Sequence, residues 1–140
     1  MTILYQAKTQ RLGGTSWDEV SRKAHKILHE IENKTRRQPY IRAAYFKKEK
    51  VFINYFWPHL KEKPRREQLD RLRYLPCAIE LIERTKHKPA LTRNPNKPKE
   101  RLFRFAGMTP KKELFFVQIK EDKKGAKYFM SIFPEIWFLE

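Results

Sequence analysis

Residues 101–134 read RLFRFAGMTPKKELFFVQIKEDKKGAKYFMSIFP, and this stretch decides the fold. Three runs, 101–107, 113–120 and 126–133, carry the aromatic and β-branched residues that suit a pleated, half-buried surface. The first turn is read at Met108-Thr109-Pro110-Lys111, where Pro110 suits the second position of a type I turn. The second falls near Asp122-Lys123-Lys124-Gly125, where Gly125 can take a positive φ. Connections this short require antiparallel neighbours, so the segment predicts a meander of three strands. Ala90–Thr92, in an otherwise polar and proline-rich loop over 85–100, reads as a further short strand.

Strand parity sorts the meander into two faces. One consistent assignment buries Phe103, Phe105, Val117, Ile119, Met130 and Ile132 against helices. The opposite face then presents Arg104, Gln118, Lys120 and Ser131 beside Phe116 and Phe129. A cation, an amide, a hydroxyl and exposed rings suit a phosphate and a stacked base. An ordinary half-solvated sheet face is the alternative reading.

Working outward, Gly13-Gly14 ends a short arm over 1–14, which is either flexible or an edge strand through Ile3 and Tyr5. Ser16 with Glu19 three residues on reads as a capping box. Trp17, Val20, Ala24, Ile27, Leu28 and Ile31 then recur on one helical face, and the helix should fade over 34–37, before Pro39. PYIRAAYF and VFINYFW flank the polar KKEK and predict a hairpin over 40–57, although a helix through VFINYFW fits as well. Leu69, Leu72, Leu75, Ile79 and Ile82 mark a helical region over 65–84, which Pro76 kinks or divides in two. The apolar tail Ile136–Leu139 reads as docked on the domain. The fold class is therefore α+β: N-terminal helices packed on a small antiparallel β-sheet with a C-terminal three- to four-stranded meander, as one domain over 15–140.

A chain of 140 residues with 40% apolar and 14% aromatic content can bury a core without disulfide or metal staples. Its 32 Lys and Arg against 16 Asp and Glu give a formal charge of +16. Solubility would be served equally by negative charge, whereas surplus cations attract phosphate. RNA is the expected partner and DNA the alternative polyanion; an acidic protein is a third class. The single cysteine, Cys77, cannot form an internal disulfide and sits in the apolar run YLPCAIELI as a small hydrophobe. No run approaches the roughly 18 apolar residues that span a bilayer, and the N-terminal residues lack a long apolar stretch. The chain reads as soluble and cytoplasmic, with no membrane partner.

Motif searches exclude several chemistries. There is no P-loop, GxGxxG, HExxH or CxxC pair, and the carboxylates are scattered rather than grouped for a two-metal site. His25 and His29 are spaced i, i+4 but lack further ligands nearby, so no metal or cofactor is expected. Cleavage of RNA without a metal needs a group to take the 2′-hydroxyl proton, one to protonate the leaving oxygen, and a cation for the phosphate. His87, in RTKHKP, is the first candidate for proton transfer and His59, after Trp57-Pro58, the second. Arg104 and Lys88 would hold the phosphate, Ser131 and Gln118 position ribose or base, and Phe116 or Phe129 stack it. Non-catalytic binding of RNA or DNA by the same basic, aromatic face is the alternative.

The stretch from Phe103 to Pro134 is similar to the C-terminal sheet of the phage-associated branch of the barnase, EndoU, colicin and RelE-like ribonuclease superfamily. The shared pattern is Phe105, Gly107 and Thr109 at the first turn, Val117, Gln118 and Ile119 on the next strand, and Ser131, Phe133 and Pro134 on the last. The resemblance covers roughly residues 60–134 as a nuclease-like core. It implies a small metal-independent endoribonuclease of toxin type, neutralised by an acidic antitoxin or inhibitor protein. By position it carries over Arg104, Thr109, Gln118 and Ser131; Lys120 joins them from the parity argument. The first 60 residues fall outside the match.

Overall fold

The chain is described here by a computed structural model over residues 4–134. Ile3 and the apolar tail at 136–139 lie outside the described residues, so the expectations for them do too. Among the described residues, seven strands form one sheet and four helices cover part of it, an α+β architecture.

The strands are β1 (Tyr5–Gln6), β2 (Tyr40–Ala43), β3 (Glu49–Phe52), β4 (Ala90–Asn94), β5 (Lys97–Met108), β6 (Leu114–Glu121) and β7 (Lys127–Pro134). The helices are α1 (Trp17–Asn33), α2 (Phe56–Lys61), α3 (Arg65–Leu72) and α4 (Leu75–Arg84). Strand order is β1-β5-β6-β7-β3-β2, with β4 also on β5.

The meander forms as the turn chemistry requires. Lys112 N–H closes on Thr109 C=O at 2.9 Å, which places Pro110 second in the turn. Gly125, with φ of 88°, closes on Asp122 C=O at 3.0 Å. The Asp122 carboxylate also accepts from the Lys124 and Ala126 amides, which fixes this second turn from a side chain.

The sheet departs from the expected antiparallel one in three ways. Two pairings are parallel, β3 with β7 and β1 with β5. The arm therefore contributes an edge strand through Tyr5. The β2–β3 hairpin joins the same sheet, but it ends at Phe52, and Phe56 begins a helix instead of continuing the strand. Residues 97–100, expected in a loop, extend β5, and Lys97 pairs with Asn94 of β4.

Ser16 Oγ accepts from Glu19 N–H and caps α1, whose Val20, Ala24 and Leu28 are buried. Pro76 divides the 65–84 region into α3 and α4, lying in the first turn of α4 where its missing N–H costs nothing. One helix precedes the β2–β3 hairpin and three lie between it and β4, so all four come before the meander.

One face of the sheet is buried. Val51, Phe105, Phe115, Val117, Ile119, Phe129 and Ile132 meet the helices in a single core. Gly107 sits where α4 crosses the sheet: a Cβ there would lie 2.8 Å from Leu81 Cδ1 and 2.7 Å from Phe115 Cζ. We expect Gly107→Ala to destabilise the fold by roughly 1–3 kcal/mol through overpacking. The check is a lower urea midpoint at unchanged slope; an unchanged midpoint would mean the two neighbours move aside freely.

Candidate active site on the open face of the sheet

The face opposite the core is organised by register. Ser131 pairs with Gln118 and Gln118 with Arg104 across β7, β6 and β5. Phe133, Phe116 and Ala106 form the next row on one side, and Tyr128, Lys120 and Leu102 the next on the other. Strand alternation makes these three rows share the open face.

The register of β7 shifts by one residue between these rows. Val117 faces Ile132 and Gln118 faces Ser131, but Ile119 faces Phe129, so Met130 is the extra residue of a β-bulge. This overturns part of the parity assignment. Phe129 is fully buried, stacked on Phe56 at 4.6 Å and 5°, so it cannot stack a base. Met130 is not the buried member of its strand, and Phe133 is the ring that comes to the open face.

The helices complete the site. β3 pairs with β7 only at Lys127 and Tyr128. Beyond that point α2 and α3 lie against β7 instead. Phe56 anchors α2 from beneath, and Arg71 of α3 places its guanidinium 4.9 Å from the Phe133 ring. Arg104 approaches the same ring at 5.1 Å, and its Nη2 donates to Gln118 Oε1 at 3.2 Å. Two guanidinium groups thus converge on one ring beside Gln118. Ser131 is 3% exposed, and its Oγ has no hydrogen-bond partner among the described residues.

His59 of α2 lies at the rim. Its pKa is lowered, first by burial, then by the charge of Lys63; Glu62 opposes the shift, and Arg71 and Lys120 add to it. The Glu62 carboxylate lies 3.4 Å from Nδ1 and favours the tautomer with a proton there, leaving Nε2 as the acceptor. Lys120 also points at aromatic surface, 5.6 Å from the Tyr55 ring and 5.7 Å from Tyr128. His59, Arg71 and Lys120 are therefore neighbours electrostatically although distant in sequence.

His87 is placed on another flank. It lines a cavity of about 170 Å³ with Thr85, Lys88, Arg104 and Phe116. Its backbone N–H is fixed by Thr85 Oγ1 at 3.2 Å. The structure thus brings Arg104, Gln118, Ser131, Lys120 and Phe116 onto one face, with His59 on one flank and His87 and Lys88 on another. Thr109 does not join them. It is 2% exposed, and its hydroxyl exchanges hydrogen bonds with Glu113 to close the β5–β6 turn, so its proposed substrate contact is corrected to a turn role.

Four contributors were not read from the sequence: Arg71, Tyr55, Tyr128 and Phe133. The spacing Gln68, Arg71, Leu72, Leu75 does place Arg71 with inward-facing residues, but a guanidinium there reads as solvated. The remaining candidates settle simply. His29 faces Glu32, and the His25 ring lies 4.1 Å from Trp57. Cys77 is buried and its thiol is pushed up to about 12, first by burial. Among the described residues no group of three or more His, Cys, Asp or Glu could hold a metal, and no helix is long and apolar enough to cross a membrane.

No protein-family model matches the chain, and no curated protein and no solved structure proves similar to it.

The His59 geometry makes a direct prediction. In an NMR titration His59 should give up its proton below the ordinary histidine value of about 6.5. Arg71→Gln or Lys120→Gln should move the midpoint upward by removing a cation, and Glu62→Gln should move it further down. A midpoint indifferent to all three would remove His59 from this cluster.

Proposed function

We propose that this protein is an endoribonuclease that cleaves RNA by attack of the 2′-hydroxyl, with no metal in the reaction. The observation that carries the reading is a partly buried histidine, His59 of α2, with Lys63, Arg71 and Lys120 in electrostatic reach beside the open sheet face. His59 Nε2 takes the proton from the 2′-hydroxyl, and the 2′-oxygen attacks phosphorus. Arg71, Arg104 and Lys120 stabilise the charge that grows on the phosphate oxygens. The bond to the 5′-oxygen breaks, His87 supplies its proton, and a 2′,3′-cyclic phosphate remains. Gln118 and Ser131 position the ribose or base, Lys88 holds an adjoining phosphate, and Phe116 or Phe133 stacks the base. Burial and Lys63 hold His59 in its neutral form at neutral pH, which exchanges its order with His87 as proton acceptor.

The ribonuclease superfamily resemblance over residues 60–134 supports the same reading. On it, the protein acts in the cytoplasm as a toxin and is neutralised by an acidic protein that covers the cationic face. Non-catalytic binding of RNA or DNA is the second reading. It is favoured by the exposed Tyr55 ring beside Lys120, which serves binding whether or not bonds are cut.

The test is total RNA incubated with purified protein in excess EDTA. Wild type should give discrete fragments ending in cyclic phosphate. His59→Ala should lower the rate by about 10²–10⁴-fold, with affinity retained and circular dichroism unchanged. The rate should rise with pH as His59 loses its proton, through a midpoint below the ordinary histidine range. Intact RNA with a salt-sensitive complex would replace cleavage by binding. Neither cleavage nor a complex would leave an acidic protein as the partner.

A further inference from the structure

The open face continues beyond the candidate active site. Tyr40 pairs with Phe52 across β2 and β3, and Phe52 with Tyr128 across β3 and β7. Tyr128 in turn faces Lys120 on β6. Buried Ile41 and Val51 flank Tyr40 and Phe52 in sequence, so the two rings take the other face. A single row thus runs from the edge of the sheet to the site. Its ring centroids are 6.4 Å apart between Tyr40 and Phe52, 5.7 Å between Phe52 and Tyr128, and 4.8 Å between Tyr128 and Tyr55.

Each ring of the row is only partly buried, and Tyr55 is 43% exposed. Among the described residues no ring is stacked on them from a helix in the way Phe56 is stacked on Phe129. Cations lie among the rings. Lys50 Nζ is 4.7 Å and the Arg42 guanidinium 5.3 Å from Tyr40, and Lys120 lies over Tyr55 and Tyr128. At the outer end, Lys34, Arg36, Arg37 and Lys50 line a cleft of about 630 Å³ with Tyr40 and Phe52. Among the described residues none of these four cations has an ion-pair partner. Carboxylates border the row at both ends: the Tyr128 hydroxyl approaches Asp122 at 3.5 Å at the inner end, and Glu30 and Glu83 line a neighbouring cleft with Lys34, Tyr40 and Arg42 at the outer end.

Rings alone would suit an apolar protein partner. Rings interleaved with unpaired cations suit a flexible polyanion with flat apolar faces, which is single-stranded RNA. A duplex hides its base faces and offers only its backbone. From Tyr40 to Lys120 the row crosses three strand spacings, about 15 Å, which gives room for several nucleotides outside the scissile step.

We propose that Tyr40, Phe52 and Tyr128 form a stacking track for the single strand, leading from the scissile phosphate to the basic cleft on β2. This rests on the ribonuclease reading for its direction, but the track is a binding site in its own right. It makes the enzyme's preferred substrate an unpaired segment longer than a dinucleotide.

The test uses 2′-O-methyl RNA, which lacks the attacking hydroxyl and cannot be cut. A single-stranded hexamer should bind much more tightly than a dinucleotide and more tightly than a duplex of equal length. Tyr40→Ala and Phe52→Ala should each weaken hexamer binding by about tenfold, the scale of one stacked base. Dinucleotide binding, and cleavage of an unmodified dinucleotide, should not change. Tyr40→Phe and Phe52→Tyr, which keep the ring, should bind the hexamer as wild type does. Lys50→Gln should reduce the slope of log affinity against log salt by about 0.7. Equal affinity for hexamer and dinucleotide, equal losses in ring-keeping and alanine variants, or tighter binding of duplex would each overturn the track. Ring-dependent hexamer binding without cleavage of ordinary RNA would uphold the track and sink the ribonuclease reading alone.

Discussion

The bulge at Met130 is the constraint on which both faces of the sheet depend. Side chains alternate along a strand, so one inserted residue exchanges the faces of everything beyond it. Before the bulge, Lys127 and Phe129 point to the core; after it, Ile132 does. Phe129 can then stack on Phe56 while Ser131 and Phe133 join Gln118 and Phe116 on the open side. An unbroken strand would have to choose. Keeping Phe129 inward would carry Ser131 and Phe133 into the core, and keeping Ile132 inward would expel Phe129. The Phe56–Phe129 stack also holds α2 against β7, and His59 rides on α2.

The charges divide along the same line. Lys127 is the one lysine that the bulged strand turns inward, and its ammonium is paired with Glu49 at 2.8 Å and Glu121 at 3.0 Å. Burial works against that charge, but the two carboxylates outweigh burial and hold the Lys127 pKa above its ordinary value. The stabilisation is complete below the unfolded lysine value and is lost only as pH rises through the higher folded one. The inward cation is neutralised by design of its surroundings. On the open face Lys50 and Lys120 lie over aromatic rings with no carboxylate paired to them among the described residues.

Much of this was legible in the sequence because it rests on local chemistry. The α1 cap at Ser16, the break at Pro76 and both meander turns follow from residues within a few positions of one another. The apolar parity of β5 and β6 follows from unbroken period-two alternation. What escaped depends on pairing at a distance. The parallel contacts of β1 and β3 leave no local mark, since neither partner is adjacent in sequence. Lys97-Pro98-Lys99-Glu100 reads as loop by composition, yet it continues β5, with Lys97 paired to Asn94 of β4. The bulge escaped because parity assumes continuity, and that single assumption misplaced Phe129 and Met130.

The choice between the two histidines shows why a site needs more than its sequence neighbours. His87 is surrounded by lysines in the chain, yet its structural setting is a small cavity formed with Arg104 and Phe116. His59 has an unremarkable local sequence, but the fold buries part of its ring and brings Arg71 from α3 and Lys120 from β6 within electrostatic reach. Burial and cations act in the same direction on a histidine, both favouring the neutral form. A proton acceptor is therefore better made by packing α2 and α3 along the uncovered half of β7 than by adding basic residues to a loop. In a sheet with one face committed to the core, the other face is where such a group, the cations beside it and the aromatic row can meet one ligand.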